Sequence, residues 1–121
     1  MTGQQILNAI PIVKKLTLIE LPFKKAYQVY SLTKQINEKA DFFINEEKKI
    51  IQKFNATILN NGQIKFEKVE DRDAFLKEHG DLFNINCEDI NPVELSFNDL
   101  NNTSLSPAEI KDLEGVIIFI D

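Results

Sequence analysis

Apolar residues recur along the chain at two different periods, and the change of period falls near residue 55. In GQQILNAIPIVKKL, Ile6, Ile10, Val13 and Leu16 follow at spacings of four, three and three, the repeat that lines one face of an α-helix. Thr2 stands in place to cap it. Pro11 weakens it by removing an amide hydrogen and crowding the preceding turn. TLIEL after it reads as a short extended connector.

The dominant pattern is LPFKKAYQVYSLTKQINEKADFFINEEKKIIQKFN. Val29, Leu32, Ile36, Ala40, Phe43, Glu47, Ile50 and Phe54 step by threes and fours, with Glu47 the one polar interruption. Pro22 suits a first helical position. No glycine or further proline appears before Gly62, so the spacing predicts a helix over about 22–55. At ~1.5 Å per residue such a helix runs about 50 Å, whereas a compact chain of this size is only ~35 Å across. The helix should overhang its domain unless it breaks near Asn37 to Asp41. Phe42, Phe43 and Ile44 are consecutive, so they cover about 200° of its circumference, more than one partner surface shields. Each large side chain left wet would forgo ~1.5–3 kcal/mol. Either the chain's own sheet or another subunit must therefore cover Phe42, Phe43, Ile50, Ile51 and Phe54, the candidate interface.

Beyond residue 55 the period shortens. ATIL and QIKF flank Asn60-Asn61-Gly62, residues that tolerate the positive φ of a tight hairpin turn. DRDAFLKEHGDLF predicts a second helix over 71–83, capped by Asp71, with Phe75, Leu76, Leu82 and Phe83 inward and Gly80 costing it ~1 kcal/mol. NINCEDI and VELSF alternate like half-buried strands around Pro92. Ser106-Pro107-Ala108-Glu109 fits a capping box with proline at the first helical position. Gly115 ends that helix. VIIFI, β-branched and apolar on both faces, predicts an interior strand that locks the sheet, so that truncating it unfolds the domain. The fold class is α+β. An N-terminal helix and a long amphipathic helix pack with a small, mostly antiparallel or mixed sheet ending in a buried C-terminal strand. Residues 1–121 form one domain, helical over 1–55 and α+β over 56–121.

Composition changes this picture little; charge changes it more. The chain is 43% apolar and 27% charged, ordinary for a globular protein. No basic leader precedes an apolar stretch, and no apolar run approaches the ~20 residues of a membrane span, so a cytoplasmic location without membrane contact is expected. Residues 1–35 hold Lys14, Lys15, Lys24, Lys25 and Lys34 against Glu20, a net +4, whereas residues 84–121 hold Lys111 against eight acids, a net −7. This polarity either biases head-to-tail contacts, draws a basic partner, or is simply solvated.

Motifs for chemistry are few. There is no G-x-S-x-G, Walker A or G-x-G-x-x-G, and no catalytic, cofactor-binding or metal-ligating set is assigned. Cys87 is the one cysteine and His79 the one histidine. Cys87 reads as a small buried strand residue, and His79 as exposed on a helix's polar face. Asp71-Arg72-Asp73 has ligand spacing, but Phe75 and Leu76 follow where a calcium loop would continue. Arg72 is the one arginine, which argues against nucleic acid. Lys24, Lys25, Tyr27 and Tyr30 are the sole candidate contact for an anion or nucleotide.

The chain as a whole resembles a class of small uncharacterised bacteriophage and prophage proteins. The likeness lies in the Leu-Pro-initiated helix LPFKKAYQVYSLTKQINEKADFFINEEKKIIQKF, the turn NNGQI, and LSPAEIKDLEG leading into a last apolar strand. It carries over no functional residue and implies virion or tail assembly, or interference with host defence. The expected function is thus a non-enzymatic protein working by protein–protein contact, an oligomeric assembly or accessory factor. Its partner is itself or another phage or host protein. The alternative is an anti-defence protein that binds a host factor or signalling nucleotide. If the distal helix packs on its own chain, a monomer results.

Overall fold

A computed structural model describes residues 1–87, 89–100 and 103–121. Helix α1 spans Gly3–Leu16 and α2 spans Phe23–Lys53; strands β1 (Thr57–Ile58) and β2 (Ile64–Lys65) follow. Then come α3 (Val69–Phe83), β3 (Val93–Ser96), a 3-10 turn at Asn98–Leu100, α4 (Pro107–Asp112) and β4 (Ile117–Ile120). The architecture is α+β with one long helix.

Local signals explain most element ends. The Thr2 hydroxyl accepts from the Gln5 amide while the Gln5 side chain accepts from the Thr2 amide, a reciprocal cap at the start of α1. Pro11 is accommodated inside α1 without ending it. Pro22 is the N-cap of α2 rather than its first helical residue. Ser106 and Glu109 form a second reciprocal cap, with Pro107 first in α4. Gly62 (φ 85°) and Gly115 (φ 93°) take the left-handed backbone at their turns, and Asn55 (φ 50°) does so after α2; Asn60 and Asn61 do not share it. The expected Asp71 cap is replaced: α3 starts two residues earlier, with Lys68 as N-cap and no side-chain hydrogen bond. Asp71 then lies with Glu70 in the first turn, where carboxylates oppose the positive end of the helix dipole.

One core unites the elements. Ile6, Ala9, Ile12, Val13 and Leu16 of α1 and Val29, Leu32, Ile36, Ala40 and Phe43 of α2 are buried in it. Gly3 at the start of α1 touches Phe43, while Leu16 at its end lines a cleft with Val29. The two helices therefore run in opposite directions. Phe83 of α3 stacks on Phe43 with centroids 5.7 Å apart. Helix α2 is continuous, so at ~1.5 Å per residue it is about 46 Å long. Its distal half packs on α3, with Phe43 against Phe83 and Phe54 against Phe75.

The strands form two separate pairs. β1 and β2 are antiparallel over two residues each, whereas β3 and β4 are parallel, with Val93 opposite Ile117 and Ser96 opposite Ile120. Helix α4 makes the crossover between the parallel strands. Val93, Leu95 and Ile117 turn inward and are buried, while Glu94, Ile118 and Ile120 alternate to the exposed face. β4 is therefore not the interior strand that its apolar sequence predicts: it has one neighbour and one wet face. Among the described residues of NINCEDI, 84–87 and 89–90, none lies in a strand, and Glu88 lies outside the described residues. Asn86 makes a single antiparallel bridge to Thr2, and the Cys87 amide donates to the Met1 carbonyl at 2.6 Å. Cys87 is half-buried. Leu76 lies exposed on α3, and Phe97 lies exposed just past β3.

The α1–α2–α3 junction yields a test. An added Cβ on Gly3 would lie 2.5 Å from Phe43 Cε1, and that ring is buried and cannot swing aside. Helix propensity favours alanine by up to ~1 kcal/mol, but forced overpacking costs about 1–3 kcal/mol. Gly3→Ala should lower stability in urea unfolding. A more stable variant would mean that the close approach is absent.

Candidate functional site

The distal residues predicted as an interface separate into two groups. Phe43 is 1% exposed, lies edge-on to Phe42 and stacks on Phe83, so it belongs to the core and is withdrawn from any contact surface. Ile50 is half-buried against the same core, Ile51 is half-buried, and Phe54 meets Phe75 edge-on at 6.3 Å. Only Phe42 stays open, at 51%.

Glu47 and His79 join the two helices that make this cover. His79 Nε2 lies 2.7 Å from Glu47 Oε2, and the ring packs on Phe83 at 4.5 Å and Phe75 at 5.3 Å. His79 is half-buried, not on a wet polar face. Its signal in the sequence was Glu47: a carboxylate at a core position of one helix needs a partner, and the chain has one histidine.

The proximal half of α2 carries a second stripe. Phe23 is 90% exposed, and Tyr27 and Tyr30 follow it at spacings of four and three, so all three lie on one outward face. Leu18, 83% exposed, lies in the connector between α1 and α2. Val29, Leu32 and Ile36 of the same helix point into the core. A helix with one apolar stripe buried and a second one open has more apolar surface than its own chain can cover. Next to this stripe runs an apolar cleft of about 180 Å³ between α1 and α2, lined by Leu16, Ile19, Leu21, Ala26, Val29 and Tyr30.

Charge is arranged around this surface. Lys15 is paired with Glu109 at 2.6 Å. That ammonium, then the Ser106 amide, holds the Glu109 carboxyl below its ordinary pKa. Lys25 donates to the Glu94 carbonyl on β3. Lys14, Lys24 and Lys34 are exposed and form no ion pair among the described residues. The outer face of the helical layer is therefore aromatic and basic. Among the described residues no helix is long and apolar enough to cross a membrane.

The four residues considered for an anion or nucleotide do not converge. Tyr27 and Tyr30 have centroids 6.2 Å apart and planes tilted by 38°, too close for a base to enter between them. They line different clefts, and neither Lys24 nor Lys25 lines either one. No protein-family model, curated protein or solved structure matches the chain.

Calorimetry against a panel of mono-, di- and cyclic nucleotides should give no binding heat. Heat from any member that is lost in Lys24→Ala would restore a nucleotide site at Lys24, Lys25, Tyr27 and Tyr30.

Proposed function

We propose that this is a non-enzymatic protein that works by protein–protein contact, an assembly or accessory factor of the phage type acting in the cytoplasm. The contact surface is the outer face of α1 and the first turns of α2. The observation that carries this reading is the exposed series Phe23, Tyr27 and Tyr30 on one face of α2. Three large aromatic side chains grouped on one face mark an interaction site, whereas scattered ones would need no explanation. Aromatics supply large contact area at a low entropic cost, and lysines at their edge steer a charged partner.

The exposed position of this stripe also makes it separable from folding. Substitutions at wet positions change stability by about 0.5 kcal/mol or less, so Phe23→Asp with Tyr30→Asp should leave the thermal melt in place. In light scattering across a concentration series, the wild-type protein should rise above its 13.9 kDa chain mass, and the double variant should stay at it. A wild-type protein that remains at the chain mass throughout would contradict self-contact and leave a different protein as the partner.

A further inference from the structure

We infer that the partner of the aromatic, basic helical face is the sheet face of a second copy, in a head-to-tail contact. This rests on the reading above and adds which surface of the partner is used. The two layers of the domain turn their inner faces toward each other. Residues 93, 95 and 117 meet the core from the sheet, and residues 29, 32 and 36 meet it from α2. Their outer faces therefore point in opposite directions and cannot meet within one molecule.

Those outer faces are complementary. On the helical side stand Phe23, Tyr27 and Tyr30 with Lys14, Lys24 and Lys34, which form no ion pair among the described residues. On the sheet side stand Ile118, 45% exposed, and Ile120, with Glu94 in register beside Ile118 and the exposed Asp121 following Ile120. By segment, residues 1–35 carry net +4 and residues 84–121 net −7, with Glu109 of the latter already paired with Lys15 of α1. A symmetric contact would set each face against its own kind, lysines against lysines or carboxylates against carboxylates. Like charges facing each other cost several kcal/mol, so the head-to-tail arrangement wins.

The two edges of the sheet point the same way. The outer edge of β3 is closed: Lys25 takes the Glu94 carbonyl, and the Ser96 amide donates to Asp99 Oδ2 at 2.9 Å. On the outer face of the sheet the β4 side chains Ile118 and Ile120 stay open. A heterologous contact of this kind builds rings or filaments instead of closed twofold dimers. Its strength falls as salt rises, because it pairs opposite charges near the surface.

Two variants that each spoil one face provide the test. Lys14→Glu with Lys34→Glu reverses the helical face, and Ile118→Lys with Ile120→Lys reverses the sheet face. Alone, each should raise the dissociation constant of self-association by about tenfold or more. Mixed in equal amounts, they should associate, since each supplies the face the other lacks. If the isoleucine variant fails to melt cooperatively, Glu94→Lys takes its place on the same face. Self-association untouched by the sheet-face variants, or a mixture that stays unassociated, would overturn the head-to-tail contact while leaving the aromatic stripe as an interface. A wild-type protein with no self-association would overturn both.

Discussion

Phe43 lies where three helices meet, and the positions of the exposed surfaces follow from it. Its ring occupies the space that a side chain on Gly3 would take, and it stacks on Phe83 from α3. Burying such a ring contributes about 1.5–3 kcal/mol. Its larger effect is geometric. Gly3 holds the start of α1 against the middle of α2, and Phe83 holds the end of α3 there. Glu47 with His79 and Phe54 with Phe75 extend that α3 contact along the distal half of α2. Most of the large distal residues are thereby covered inside the chain, Phe42 and Ile44 stay exposed, and the largest apolar exposures on α2 lie at its proximal end.

Helix α2 thus has two roles along its length. Its inward stripe runs the whole way and packs in turn on α1, on the sheet and on α3. Its second stripe, Phe23, Tyr27 and Tyr30, occupies only the first turns and has no cover. The sheet mirrors this arrangement, with Val93, Leu95 and Ile117 inward and Ile118 and Ile120 outward. A two-layer domain that shields only one face of each layer leaves two surfaces for others. Here those surfaces differ in charge, which is the ground for proposing a head-to-tail contact over a symmetric one.

Local chemistry was largely legible in the sequence. Period-three-and-four spacing located α1 and α2, Ser106 and Glu109 marked the α4 cap, and Gly62 and Gly115 marked their turns, because each depends on residues within four positions of one another. What depends on distant partners was not legible. Nothing within NINCEDI reveals that residues 85–87 bind the chain's start instead of joining a sheet. The apolar run VIIFI reads as doubly covered because burial on one face and exposure on the other leave the same β-branched composition. The burial of Phe43 was not legible for a related reason. Phe42, Phe43 and Ile44 in succession drew attention to the distal half, but α3 supplies the cover and its pairing with α2 is long-range. The 23–27–30 series was present in the sequence, offset from the core stripe, and a second period on one helix was its signal.

Hydroxyl-radical footprinting read by mass spectrometry, run from dilute to concentrated protein, tests the central claim most directly. The account predicts that Phe43 stays protected at every concentration, while Phe23, Tyr27 and Tyr30 are modified in dilute protein and become protected as concentration rises. Modification of Phe43 in the dilute protein, or labelling of Phe23 that does not change with concentration, would contradict it.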